Sequence, residues 1–113
     1  MKNNLLKVAL AQISPVWLNK ERTIEKIEKL IIDAAKENCE LIVFGEALLP
    51  GYPFWIALTN GAEWDSKVQK EIHAHYVRNS ITIEKGELNS VCKLAKKHQI
   101  SIYLGIMERA ENR

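Results

Sequence analysis

Glu46 is the residue whose type and setting best suit it to catalysis. It directly follows the apolar run Leu41–Phe44, which is typical of a buried strand, and open α/β sheets carry their functional groups at the carboxyl ends of their strands. The residues that follow are rich in Pro and Gly and predict a rigid loop that holds Tyr52, Phe54 and Trp55. A carboxylate in such aromatic, water-poor surroundings is suited to act as a general base. The same position also fits a structural Glu that pairs with a nearby Lys or accepts backbone hydrogen bonds.

Three segments have the apolar pattern of β-strands, namely Leu5–Ile13, Leu41–Phe44 and Ile100–Met107. The first has apolar residues on both sides and the second is apolar throughout, which predicts strands covered on both faces. With the helix between them, these two strands form a βαβ unit and should pair in parallel. The predicted fold class is therefore α/β, and a sheet of only three strands leaves two open edges.

Three helices are predicted between these strands. Their spans, given with the candidate capping residues, are Asn19 to Ala35, Asp65 or Ser66 to about Asn79, and about Glu87 to His98. The side chains expected to face inward on the second and third helices are Val68, Ile72, Tyr76, Leu88, Val91, Cys92 and Ala95.

The composition is that of an ordinary globular chain. Of 113 residues, 47% are hydrophobic and 27% charged, which excludes a disordered or low-complexity segment. The net charge of +2 is spread along the chain, so neither nucleic acid nor a membrane surface is indicated as a partner. Leu5 and Leu6 alone precede the charge of Lys7, too short an apolar stretch for a secretory signal, and we expect a cytoplasmic protein.

The other residues that could bind a metal or act as a nucleophile are predicted to have ordinary structural roles. Cys39 and Cys92 are far apart and outside any C-x-x-C pair, which predicts free, buried thiols. His73 and His75 would lie on different faces of a helix without a third ligand, so we predict no metal site. The lysines before His98 complement the dipole at a helix C terminus.

Three segments also carry a resemblance to a known family. Val8–Pro15 reads VALAQISP, Val43–Pro53 reads VFGEALLPGYP, and Ile102–Arg109 reads IYLGIMER. In this order they resemble three features of the nitrilase superfamily, the carbon–nitrogen hydrolases: a first strand, a catalytic Glu with a Pro-Gly-Tyr-Pro-type loop, and a later strand before a hairpin. The continuation Phe54–Leu58 is similar to the nitrilase branch, whereas Gly45 stands where the family usually has Pro.

The resemblance implies both a fold and a reaction. Residues 1–113 would be the N-terminal portion of a domain with an αββα sandwich, incomplete in this chain, and the complete protein would be a homo-oligomer. The family reaction converts a nitrile to a carboxylic acid and ammonia through a covalent Cys intermediate, with no cofactor. Glu46 would be the general base, Tyr52 and Trp55 would form part of the substrate pocket, and a Lys would stabilise the charge of the tetrahedral intermediate.

The Cys and Lys of this triad have no match in the sequence. Neither Cys39 nor Cys92 fits the family's nucleophile motif, and both triad residues lie beyond the hairpin that the polar ending Glu108–Arg113 resembles. We therefore expect the 113-residue chain alone to be inactive. Two alternatives remain: an amidase of the same superfamily, and a non-catalytic truncated remnant that acts through oligomer or partner contacts.

Overall fold

The predicted strands form a parallel sheet in the computed structural model, which describes residues 4–111. Strands β1 (Val8–Ala11), β2 (Leu41–Phe44) and β3 (Ser101–Tyr103) lie in the order β1-β2-β3. Both neighbouring pairs are parallel, which confirms the α/β class and the predicted pairing. The last two residues of the predicted polar ending lie outside the described residues.

In the described part of the chain four helices lie between these strands, with a 3-10 turn at Ile83–Lys85. They are α1 (Lys20–Lys36), α2 (Trp55–Leu58), α3 (Lys67–Arg78) and α4 (Asn89–His98). The side chain of Asn19 caps α1 by accepting a hydrogen bond from the Arg22 N–H at 3.0 Å. Ser66, rather than Asp65, caps α3.

One face of the sheet carries the hydrophobic core. Ile42 and Phe44 are buried and pack with Ile27 and Ile31 of α1 and with Val91 of α4. The strand register places Ala9 and Ile102 beside Ile42 in the same row, because side chains alternate between the two faces of a strand. Helices α1 and α4 contact each other and lie together on this face.

The opposite face of the sheet is apolar and exposed within residues 4–111. Its middle row consists of Leu10, Val43 and Tyr103, of which Leu10 is 79% and Tyr103 72% exposed. The prediction that the strands are covered on both faces is therefore not met by the described residues, because both connecting helices lie on the other side. We call this surface the open face.

A half-buried ion pair joins the helices at one end of their layer. The Lys20 Nζ lies 2.5 Å from the Glu87 Oε1, and the other carboxylate oxygen of Glu87 accepts a hydrogen bond from the Thr82 N–H at 2.5 Å. Partial burial by itself would raise the pKa of Glu87, but the hydrogen bonds from Lys20 and Thr82, with the charges of Lys20 and Lys85, lower it overall. The pair connects the start of α1 to the segment that leads into α4.

Two inward-facing predictions are wrong. Val68 is exposed because it lies in the first turn of α3, whereas that helix meets the rest of the molecule near its other end, at buried Tyr76. Cys92 is exposed because it borders a cleft beside β3, which is an edge strand of the sheet. Cys39 is half-buried against the core. The prediction of buried thiols is therefore wrong for Cys92 and met only in part for Cys39.

The third strand is shorter than the predicted Ile100–Met107. Regular pairing with β2 ends at Tyr103, and the chain then forms single parallel bridges from Ile106 to Leu49 and from Glu108 to Ile81. The segment after β3 therefore leaves its neighbour strand and contacts the loop that follows β2.

Candidate functional site

Glu46 is presented by a tight turn at the carboxyl end of β2. Gly45 and Glu46 are exposed, whereas the next four residues, 47–50, are buried. Ala47 adopts the left-handed backbone region, with φ 49°, and its carbonyl accepts a hydrogen bond from the Gly51 N–H at 2.9 Å. An exposed carboxylate is thus mounted on a buried base, which limits how far it can move. We call residues 45–51 the Glu46 turn.

The segment after β3 packs directly on the Glu46 turn. The Leu49 N–H donates to the Gly105 carbonyl at 3.3 Å, and the Met107 N–H donates to the Leu49 carbonyl at 2.7 Å. A Cβ placed on Gly105 would lie only 2.9 Å from the Glu46 Cα, so only glycine fits at this approach of two backbones. The two segments are therefore held together by main-chain contacts.

Tyr76 of α3 holds the other end of the Glu46 turn. Its hydroxyl donates to the Gly51 carbonyl at 2.7 Å, and burial raises the pKa of this tyrosine. Gly51, with φ 137°, lies against Trp17, whose ring a Cβ at this position would meet at 3.0 Å. Tyr76 and Trp17 thus fix where the turn ends.

Glu46 faces a cleft of about 430 Å³ at the carboxyl ends of β2 and β3. The cleft is lined by residues of both segments, namely Phe44, Gly45, Glu46, Ala47, Tyr103, Leu104, Gly105, Ile106 and Met107. This is the place where open α/β sheets bind ligands. Among the described residues, Glu46 and Tyr103 are the titratable side chains of the lining, and it contains no Cys or Lys.

The surroundings of Glu46 differ from those predicted. Its side chain is exposed rather than enclosed in aromatic, water-poor surroundings, because the aromatic residues of the following loop turn towards Trp17 and α3. Within residues 4–111 its carboxylate has no hydrogen-bond or ion-pair partner, so the alternative of a Glu paired with Lys is not observed either. An unpaired carboxylate at a cleft can accept a proton from a group that enters it.

Trp55 and Tyr52 lie apart from the lining of the Glu46 cleft. Trp55 begins α2, where a loop was expected, and its ring packs edge-on against Tyr76 and Trp17, with centroids 4.8 and 6.5 Å away. It lines a separate apolar cavity of about 310 Å³ with Trp17, Leu18, Phe54 and Ile72. Tyr52 is exposed in the loop before α2. Their assignment to substrate binding stays a prediction.

The groups considered for metals or membranes lie outside this cleft. His73 and His75 are both exposed on α3. Within residues 4–111, no cluster of three or more His, Cys, Asp or Glu side chains could hold a metal ion. None of the helices in the described part of the chain combines the length and the apolar character that crossing a membrane requires.

Comparison with known proteins identifies the family. The family model for carbon–nitrogen hydrolases matches residues 7–113. The chain belongs to the carbon–nitrogen hydrolase family. It is 36% identical over 107 residues to an arylacetonitrilase of Aspergillus oryzae, which covers 95% of this chain and 30% of the relative. It is 38% identical over 104 residues to a nitrilase of Meyerozyma guilliermondii, which covers 92% of this chain and 31% of the relative.

The match confirms the predicted superfamily and agrees with its nitrilase branch. An arylacetonitrilase of Hypocrea virens is 34% identical over 112 residues, which are 99% of this chain and 32% of that relative. The chain therefore spans about a third of the length of the curated relatives it matches. The small parallel sheet with its helices is consistent with part of a carbon–nitrogen hydrolase fold.

Two residues that contact or support the Glu46 turn were not singled out from the sequence. Gly105 carries a signal that could have found it, because a glycine within a strand pattern marks a close backbone approach. Tyr76 was predicted only as part of an apolar helix face, and no local pattern indicates that its hydroxyl reaches Gly51.

Proposed function

We propose that this chain is the N-terminal third of a nitrilase that hydrolyses an arylacetonitrile to the carboxylic acid and ammonia, with Glu46 as the general base. The observation that carries the proposal is the Glu46 carboxylate, which has no partner within residues 4–111 and lies on a buried turn facing a cleft at the carboxyl ends of two parallel strands. The substrate class comes from relatives named arylacetonitrilase. We propose that the enzyme acts in the cytoplasm.

The proposed reaction assigns Glu46 one step. Its carboxylate takes the proton of a Cys thiol, and the thiolate attacks the nitrile carbon to form a covalent intermediate. A Lys stabilises the developing negative charge, and the thiol proton ends on the nitrile nitrogen, which gives a thioimidate. One water then displaces ammonia to leave a thioester, and a second water hydrolyses the thioester to the carboxylic acid and the free Cys. Within residues 4–111 the cleft lining holds neither a Cys nor a Lys, and we propose that the remainder of the enzyme, outside these 113 residues, supplies both.

The open face supports a proposal for the fold of the complete domain. Leu10, Val43 and Tyr103 form an apolar row that no helix of the described residues covers, and an apolar sheet face is stable when another layer covers it. We propose that a second sheet covers this row in the complete αββα sandwich. We also propose that Tyr52 and Trp55 contribute to the substrate pocket of the complete enzyme. The complete enzyme is proposed to be a homo-oligomer.

The test uses the protein expressed from the complete reading frame that encodes this chain. Release of ammonia and of phenylacetic acid from phenylacetonitrile is measured for the parent and for Glu46→Gln. Removing a general base lowers kcat by about 10²–10⁴-fold. Glu40→Gln is the matched control, because Glu40 is exposed at the opposite end of β2, and it retains the parent kcat.

Three outcomes would contradict parts of the proposal. Parent-like kcat in Glu46→Gln removes Glu46 from the reaction. Turnover of phenylacetamide without turnover of phenylacetonitrile favours an amidase of the same superfamily. Ammonia release by the isolated 113-residue chain, abolished by Glu46→Gln, would show that no further residues are needed.

The second candidate, a non-catalytic remnant, draws on the same open face. A remnant would cover Leu10 and Tyr103 by pairing with another copy or with a partner. Stable, monodisperse oligomers of the 113-residue chain, together with no nitrile turnover by the complete reading frame, would favour it over the enzyme.

A further inference from the structure

We propose that Gly105 and Tyr76 are positioning residues for Glu46, and that they fix the two ends of the turn on which its carboxylate is mounted. The proposal rests on the proposed function of Glu46 as a general base. Neither residue is assigned a chemical step. Their effect on the reaction would pass through the position of the Glu46 backbone.

Gly105 lies against the backbone of three consecutive residues. A Cβ at this position would lie 2.3 Å from the Gly45 carbonyl oxygen, 2.7 Å from the Ala47 nitrogen and 2.9 Å from the Glu46 Cα. All three contacts are with main-chain atoms, so no side-chain rotation can relieve the overlap. A methyl group at Gly105 must therefore push its own segment and the backbone that carries Glu46 apart.

The exposed part of the Glu46 turn can move more easily than its buried part. Residues 47–50 are buried, and Leu49 is tied by two hydrogen bonds to the segment that carries Gly105. Gly45 and Glu46 are exposed and can move into the cleft. The strain from a methyl group would therefore shift the carboxylate and leave the buried part of the turn in place.

Tyr76 restrains the same turn from its other end. Its hydroxyl donates to the Gly51 carbonyl, and the Gly51 N–H in turn donates to the Ala47 carbonyl, next to Glu46. Tyr76→Phe removes the first hydrogen bond and keeps the ring that packs on Trp55. It loosens the turn without introducing an overlap.

Gly61 provides a matched control for Gly105. A Cβ on Gly61 would lie 2.8 Å from the Ile56 Cα, a main-chain atom, and 2.9 Å from the Gln69 Oε1, a side-chain atom, so Gly61→Ala is also crowded. Gly61 lies between α2 and α3 and does not line the Glu46 cleft. It separates a general loss of stability from a displaced carboxylate.

The experiment compares kcat, KM and Tm of these variants with those of the parent, each expressed from the complete reading frame, with phenylacetonitrile as the substrate. Displacement of a catalytic group by about 1 Å costs about 10²-fold in rate, so Gly105→Ala is expected to lower kcat by this factor with KM unchanged. Tyr76→Phe lowers kcat by a smaller factor, also at unchanged KM. Gly61→Ala also lowers Tm; because Gly61 lies against α2, which begins with Trp55, any effect on substrate binding raises KM, whereas kcat stays at the parent value.

Each result decides between the two proposals. Parent-like kcat in folded Gly105→Ala, or equal losses of kcat in Gly105→Ala and Gly61→Ala, overturns the positioning role. If Gly105→Ala yields no folded enzyme, Tyr76→Phe decides, and an unchanged kcat overturns the proposal. Parent-like activity of Glu46→Gln instead overturns the proposed function, whatever the other variants do.

Discussion

The two faces of the sheet are built from alternate residues of the same strands and have opposite surroundings. On the helix-covered face, Ile42 and Phe44 are buried against α1 and α4. On the open face, Leu10 and Tyr103 are largely exposed, although both are large and apolar. Because neighbouring positions on one strand differ this strongly, the difference comes from where the connecting helices lie and not from the hydrophobicity of the strands.

This contrast indicates which face of the sheet stabilises the described segment. Apolar area removed from water contributes about 25 cal/mol per Å² to folding, and an exposed side chain contributes little. The helix-covered face therefore supplies most of the hydrophobic stabilisation within residues 4–111. The open face contributes when something covers it, which agrees with the proposed second sheet.

The largest expected effect comes from truncating one buried strand residue. Ile42→Ala removes a side chain that is 1% exposed and should lower the free energy of unfolding of the 113-residue chain by about 2–5 kcal/mol. Leu10→Ala, on the neighbouring strand but on the open face, should have little effect. Urea unfolding followed by circular dichroism measures both, and equal losses would contradict the comparison.

An intermediate effect is expected for the ion pair between Lys20 and Glu87. Glu87→Gln removes the charge that pairs with Lys20 and should cost about 1–3 kcal/mol at neutral pH, since hydrogen bonds to charged groups are worth this much. Because folding lowers the pKa of Glu87, its contribution is complete above the ordinary value of 4.5 and is lost as the pH falls through the lowered value.

The measurement is the unfolding free energy of the parent and of Glu87→Gln between neutral and acidic pH. The difference between them should shrink as the pH falls below about 4.5. Asp65→Asn is the control, because the exposed pair of Asp65 with Lys70 should contribute little at any pH. A difference that stays constant with pH would exclude the ion pair as its source.

The smallest effect on stability, but a clear one on association, is expected on the open face. Leu10→Lys replaces an exposed apolar side chain with a charged one, so the unfolding free energy should hardly change, while self-association of the 113-residue chain should decrease. Leu58→Lys, on exposed α2, is the matched control. Sedimentation velocity measures both, and equal effects would show that the open face is not the associating surface.

The elements that are defined by local pattern could be predicted from the sequence. The run Leu41–Phe44 is the observed β2, and Asn19 caps α1 as expected, because burial of a short apolar run and capping both depend on neighbours in sequence. The family resemblance, which the comparisons bear out, depended on short motifs that stand in order along the chain.

What could not be predicted depends on contacts between distant segments. The early end of β3 follows from the packing of Gly105 on the Glu46 turn, and neither segment indicates this alone. The turn of Trp55 towards Tyr76 likewise depends on where α3 lies. The chemical roles of Glu46, Tyr52 and Trp55 remain predictions.

The main-chain contacts between Leu49 and the segment after β3 have a consequence for the order in which the chain folds. Glu46 leaves the ribosome before Gly105 and Met107, the residues whose hydrogen bonds with Leu49 complete its turn. Contacts between residues far apart in sequence form slowly, because a long loop must first be closed. The geometry of the carboxylate is therefore set late in folding, after β1, α1 and β2 have had time to assemble.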